Sequence, residues 1–186
     1  IEKNAPLTKT VFQGLVNKHR PTTLLIWDDA NAIPAINSLQ TMRTKPKQVF
    51  VSYSIAGPQL GSFNDDLRDR LYIAYPYSLP KDEAAKTFSF APLTASRKFS
   101  GKAREMVQQV YSLANILSLA LMDMRGDYYQ DYFFDVIGMQ ADQLAPLYER
   151  LSFGPGQRYA SKGCYIIQLT KGKQPEFVRK SDWVIY

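Results

Sequence analysis

The spacing of apolar residues changes along the chain, and each change marks an element. Val11, Phe12, Leu15 and Val16 recur at three- and four-residue steps, which predicts a helix over Thr8–Lys18, interrupted at Arg20-Pro21. Thr22–Trp27 is instead a short continuous apolar run, the pattern of a buried parallel strand, and Asp28-Asp29 follow it. Helical spacing returns over Ala30–Met42, with Ile33, Ile36 and Leu39 directed inward and Pro34 early enough for a first turn. Gln48–Tyr53 predicts a second buried strand around Val49, Phe50 and Val51, followed by a loop from Ser54 to Pro58. Asn64–Arg70 predicts a short helix, and Leu71–Tyr75 a third strand closed by Pro76. Strands alternating with helical segments imply a parallel sheet with crossover connections. The expected fold class is therefore α/β: a three-layer, Rossmann-like (flavodoxin-like) lobe with a central, mainly parallel sheet.

From Pro80 to Phe99 the pattern is irregular. Gly101–Met124 is then the strongest helical stretch, with Val107, Val110, Ala114, Leu117, Leu121 and Met124 at three- and four-residue steps, and Gly126 stands where a C-cap glycine belongs. This helix is expected to flank the sheet. Asp127–Met139 predicts a second, very aromatic helix carrying Tyr128, Tyr129, Tyr132, Phe133 and Phe134. The last third predicts strands at Tyr148–Phe153 and Gly163–Leu169 on either side of the turn Gly154-Pro155-Gly156. The glycine turn between those two strands reads as a hairpin turn, giving the expected C-terminal β-hairpin, and a polar turn at Lys171-Gly172-Lys173 precedes Phe177-Val178 and the terminal Trp183-Val184-Ile185.

Composition narrows the function classes. Of 186 residues, 45% are hydrophobic and 22% charged, which is globular rather than disordered. Twelve tyrosines suit either a binding cleft or half-buried surface rings, and composition alone favours the rings. The net charge of +6 is spread along the chain, with no basic cluster longer than pairs such as Arg97-Lys98 and Arg179-Lys180. That argues against nucleic acid and favours, weakly, an anionic ligand or surface. Cys164 is the only cysteine and lies in the apolar run Cys164-Tyr165-Ile166-Ile167, so a buried, unpaired thiol is expected. The single histidine, His19, sits in a polar stretch and reads as a surface residue. No run reaches membrane-spanning length, so no transmembrane segment is expected, and there is no signal-peptide pattern.

Candidate chemistry is sparse. No early strand–helix junction carries a glycine-rich phosphate loop, and Gly-x-Ser-x-Gly is absent. Asp65, Asp66 and Asp69, interleaved with Arg68 and Arg70, read as a solvated charged helix, and Asp123, Asp127, Asp131 and Asp135 as an exposed acidic stripe. No catalytic residue, metal site or cofactor is expected.

The order of elements resembles the C-terminal lobe of type I periplasmic solute-binding proteins, especially the branched-chain amino-acid receptor family. The features that carry it are the strand, polar loop and helix of Thr22–Met42, the strand and loop of Val49–Gly57, and the strand running into a proline loop at Leu71–Pro80. Further along, Tyr111-Ser112-Leu113-Ala114 lies within the long helix. Leu151-Ser152-Phe153, a glycine turn and the strand ending in Gln168 match the family's late hairpin.

The resemblance implies that residues 1–186 form one lobe whose N-terminal partner lobe is missing. It also implies a non-catalytic role: extracytoplasmic binding of a small molecule, an amino acid or small organic acid, for delivery to an ABC-type uptake transporter permease. Localisation would be periplasmic or extracellular. Ligands of open α/β sheets lie at the carboxyl ends of the strands. That rule selects Asp28, Asp29, Ser52, Tyr53, Ser54, Tyr75 and Tyr77 as ligand-binding residues. In the amino-acid receptors the loop after the second of these strands supplies an acidic residue for the ligand's ammonium. Ser52-Tyr53-Ser54-Ile55 holds none, and Asp28 or Asp29 would have to replace it, unless the pair only caps the following helix. Two other classes stand beside this one: a sensor or protein-interaction module using the same lobe, with Tyr128–Phe134 as its patch, and an enzyme on a flavodoxin-like fold.

Overall fold

The first three apolar runs are strands: β1 (Thr23–Ile26), β2 (Gln48–Ser52) and β3 (Leu71–Tyr75). They lie in parallel, with Leu24 level with Val49 and Val49 with Leu71. β4 (Gly163–Leu169) joins β3 antiparallel, Ile73 facing Ile167, and β5 (Phe177–Arg179) pairs antiparallel with β4. The order is β1-β2-β3-β4-β5, and the short β6 (Val184–Ile185) pairs with β4 off that path. The architecture is mixed α/β with a mostly parallel, Rossmann-like core, as the alternation predicted, and its antiparallel hairpin is β4–β5 rather than the expected pairing across 154–156. This computed structural model describes residues 8–27, 30–79, 97, 99, 101–140, 145, 147–154, 160 and 163–185. They divide into two units: Ile1–Tyr75 with Cys164–Val184, and Pro76–Gly163 with Ile185–Tyr186.

In the sheet unit one face is the core. Ile26, Val51, Ile73 and Ile167 stand in one register row, Val49 and Leu71 two positions back, and all six are buried. Ile33, Ile36, Leu39 and Leu67 from the crossovers are buried with them, as the helical spacing predicted for the first three. Helix α1 (Lys9–His19) buries Phe12 and Val16. The Thr8 side chain accepts a bond from the Val11 amide at its start, and Arg20 ends it in the left-handed conformation.

Several expectations need correction. Ala30–Met42 is not one helix but a 3-10 turn (Ala30–Ala32), α2 (Ile33–Asn37) and a second 3-10 turn (Ser38–Thr41). Pro34, Asn37 and Ser38 favour short turns over a continuous ladder, and Ser38 Oγ donates to the Ala35 carbonyl at 2.6 Å. Tyr53 does not end β2; it opens the helical turn α3 (Tyr53–Ala56), followed by a 3-10 segment (Gly57–Ser62), where a loop was expected. The helix expected over Asn64–Arg70 shortens to α4 (Asp65–Arg68).

β1 is not a fully buried strand. Leu25 is 72% and Trp27 75% exposed, because β1 is the sheet edge and only its Ile26 side reaches the core. On that outer side Phe50 and Tyr72 stack at 5.0 Å. Arg68 is also no solvated charge. It is 3% exposed and donates to four carbonyls, Gly61, Phe63, Thr170 and Gly172, at 2.8–3.2 Å, while pairing with Asp65 at 2.8 Å. Asp65 in turn accepts from the Gly172 amide, and Lys171 pairs with Asp69 at 2.6 Å. The α4 region and the β4–β5 turn are thus joined by the Arg68 guanidinium, the Asp65–Gly172 hydrogen bond and the Lys171–Asp69 ion pair.

The second unit contains α5 (Gly101–Asp123) and α6 (Gln130–Met139). Gly126 follows α5 at φ +110°, a conformation only glycine adopts without strain, as its position predicted. α6 starts later than expected, with 127–129 outside it. Ala120, Met124 and Val136 form a small core, with Tyr132, Phe133 and Ile137 against it. Ile116, Ala145 and Leu151 form another. The strand expected over Tyr148–Phe153 reduces to a single bridge at Leu151.

Candidate functional site

The carboxyl end of β2 runs directly into α3, and this junction fixes four of the seven expected ligand residues. Ser52 is buried, extended, and the N-cap of α3: its Oγ accepts the Ser54 amide at 3.2 Å and shares a short hydrogen bond with Ser54 Oγ. Capping by serine satisfies an amide that the turn itself leaves without a partner. Tyr53 opens α3 and meets Tyr75, at the end of β3, edge to face at 4.9 Å. Tyr75 is 7% exposed and packs its other side on Phe177 of β5 at 5.0 Å. Ile55 anchors α3 from below, fully buried. α3 also packs against the 30–32 turn that follows β1. The carboxyl ends of the parallel strands therefore meet as one rim, with Tyr53 half-buried and Ser54 exposed on it.

The roles differ from those expected. Ser52 and Tyr75 are structural members of the rim, a cap and a core ring, while Tyr53 and Ser54 are the members that solvent reaches. Asp28 and Asp29 lie outside the described residues. Tyr77 belongs to the second unit, where its ring tilts on Tyr148 at 5.6 Å. Beside it the Ser78 amide donates to the Leu147 carbonyl at 2.9 Å.

Pattern reading missed a concavity at the opposite, amino-terminal ends of β2 and β3. It measures about 280 Å³, with a floor of Leu39, Val49 and Leu67 and a polar wall of Gln40, Lys45, Asp66 and Arg70. Gln40 donates to Asp66 at 2.9 Å and accepts from Asn64 at 2.5 Å, so much of that wall is satisfied internally. The mixed charge between two strands was the available signal, but it reads equally as solvated surface.

Cys164 is half-buried, not buried as expected, and desolvation raises its thiol above the ordinary range. Among the described residues no cluster of His, Cys, Asp and Glu could hold a metal ion, and no helix is long and apolar enough to cross a membrane. No family model matches the sequence, and no curated protein matches it either.

Proposed function

We propose that this chain is the lobe of an extracytoplasmic solute-binding protein that holds a small molecule at the carboxyl-end rim of its parallel strands, without catalysis, for an ABC-type uptake permease. The reading rests on the resemblance in element order. The observation that supports it best is the edge-to-face pair of Tyr53 and Tyr75 beside the serine-capped α3 on a Rossmann-like sheet. Tyr53 offers a ring face for an apolar body, and Ser54 offers a hydroxyl that orients a polar head. The absence of a carboxylate in Ser52–Ile55 favours a ligand whose head accepts hydrogen bonds, a small organic acid, over one presenting an ammonium to this loop. On this reading the protein is periplasmic or extracellular, and a facing lobe closes over the ligand.

The test is a thermal-shift panel of small acids, amines and aromatics, followed by calorimetry of Tyr53→Ala and Ser54→Ala with any hit. Tyr75→Ala is avoided because it removes a core ring. A hit weakened about threefold or more by Tyr53→Ala supports the site; unchanged affinity in both variants refutes it.

A second reading, a protein-interaction or sensor module, is favoured by one observation. Tyr128, Tyr129 and Phe134, where packing against the sheet was the simpler expectation, are 59–68% exposed. Exposed rings concentrated in so short a stretch are the hallmark of a docking patch. A panel without a single hit, together with a partner whose binding is lost in Phe134→Ala, would favour it.

A further inference from the structure

Parallel pairing gathers, at one end of the sheet, basic residues that stand apart in the sequence. The Thr22 carbonyl accepts from the Lys47 amide at 2.8 Å, and the Arg70 carbonyl from the Val49 amide at 2.8 Å, so the entries to β1, β2 and β3 lie side by side. Arg20 stands before the first entry, Arg43, Lys45 and Lys47 before the second, and Arg70 before the third. Arg70 reaches back to the second, where its Nη1 donates to the Pro46 carbonyl at 3.5 Å.

The carboxylates of α4 and its C-cap, at this end, are already engaged. Asp65 pairs with Arg68, Asp69 with Lys171, and Asp66 accepts from Gln40. Arg20, Arg43, Lys45 and Lys47 are exposed, and no carboxylate among the described residues pairs with them. Arg20 complements the negative end of α1. No such role falls to Arg43, Lys45 and Lys47.

The concavity of about 280 Å³ opens among these charges, with Lys45 and Arg70 in its wall and Leu39, Val49 and Leu67 as its floor. An apolar floor beneath cations concentrates their field and draws anions in. A cavity of about 150 Å³ already holds one benzene ring, so this one has room for a small ring and a polar head. Asp66 offsets one of the two cations in the wall, so a singly charged head gains little there and a doubly charged one gains most. A guanidinium fork beside a lysine point charge suits a phosphate.

We propose that this concavity binds a small phosphomonoester, with its apolar body on the floor of Leu39, Val49 and Leu67 and its dianionic head between Lys45 and Arg70. Lys47 and Arg43 add attraction from the surface around it. This inference is independent of the proposed solute-binding role, which concerns the opposite ends of the strands.

The probe is phenyl phosphate, titrated into the 186-residue chain and followed by heteronuclear NMR at about pH 8, where a phosphomonoester with its second pKa about 6 is a dianion. Saturable shifts are expected at the amides of Lys45, Lys47 and Arg70, with Tyr53 and Ser54 unmoved. Inorganic phosphate, which leaves the floor empty, is expected to bind about fivefold or more weakly, and benzoate, singly charged, to move none of these amides. Lys45→Ser is expected to weaken phenyl phosphate about tenfold, the effect of losing one charge-assisted hydrogen bond. Arg70→Ser is expected to do the same; should it misfold, the exposed Lys45→Ser decides alone. Lys180→Ser, whose amide bonds Ile166 opposite Ala74 and so lies towards the other end of the sheet, is expected to change nothing. The proposal is overturned by phenyl phosphate that does not saturate, by inorganic phosphate or benzoate binding as tightly, or by a loss in Lys45→Ser no greater than in Lys180→Ser. A single-stranded oligonucleotide bound at these amides where phenyl phosphate is not would overturn it in favour of a polymer.

Discussion

Arg68 is a buried charge that joins distant parts of the sheet unit. Its guanidinium ties the 61–65 segment to the turn between β4 and β5, which is more than a hundred residues away in sequence, and it satisfies four carbonyls in doing so. Removing it takes this donor from the buried Phe63 carbonyl and from three part-buried contacts at Gly61, Thr170 and Gly172. Arg68→Met is therefore expected to cost about 3 kcal/mol in urea unfolding, and Arg68→Lys most of that, since a point ammonium cannot reproduce the fork. A loss under about 1 kcal/mol in Arg68→Met would show that water replaces the guanidinium easily. Cys164 gives a residue-scale prediction in pH. Burial raises its folded pKa, so the protonated thiol contributes stability that is fully present below the unfolded value of 9.0 and is lost as pH climbs through the higher folded value. Alkylation by iodoacetamide at pH 8 should be slower in the native protein than in urea, and Cys164→Ser should flatten the stability loss above pH 9.0. Equal native and unfolded rates would contradict this.

At the scale of elements, α5 shows where periodicity misleads. The stripe of Val107, Val110, Ala114, Leu117, Leu121 and Met124 was the strongest helical signal in the sequence; Met124 is buried as expected, yet Val110, Leu117 and Leu121 are exposed. The buried side is Gln108, Ser112, Ile116, Ala120 and Met124, where the Ser112 hydroxyl donates to the Gln108 carbonyl at 2.7 Å. Period alone gives the helix and not the face it buries, because a hydroxyl bonded within its own helix packs as well as a small apolar group. Ile116→Ala is thus expected to destabilise the protein by about 2 kcal/mol or more, and Leu113→Gln, on the exposed side, by less than about 0.5 kcal/mol. The reverse ranking in thermal unfolding would mean that the outward stripe is the true core face. The three parallel strands were legible because Val49–Val51 and Leu71–Ile73 are apolar on a scale of a few residues, whereas the expected hairpin across 154–156 was not the one formed: β4 pairs antiparallel with β5 across the turn that holds Gly172 at φ +112°. The break-up of Ala30–Met42 and the helical turn at Tyr53 were not legible, since capping by Ser38 and Ser52 is decided by local hydrogen bonds that spacing does not record. Arg68 was misread for a related reason: its partners are backbone carbonyls supplied from far along the chain, which no sequence pattern shows.

On the scale of the whole molecule, a Rossmann-like sheet fixes where a ligand would sit before any residue is known, because crossover connections leave the carboxyl ends of the strands open. Sequence reasoning assigned Ser52, Tyr53, Ser54 and Tyr75 to a ligand; in the structure Ser52 caps α3 and Tyr75 packs its ring on Phe177. On the described rim Tyr53 is half-buried and Ser54 exposed. The rival location is the concavity at the amino-terminal ends, walled by Lys45, Asp66 and Arg70. The measurement that separates the two most directly is a heteronuclear NMR titration of the chain with a panel of small organic acids, which detects even millimolar binding. Binding at the carboxyl-end rim predicts saturable shifts at the amides of Tyr53, Ser54 and Ile55 with Lys45, Asp66 and Arg70 unmoved. Shifts centred on those three residues instead, or none at the rim at any concentration, would contradict it.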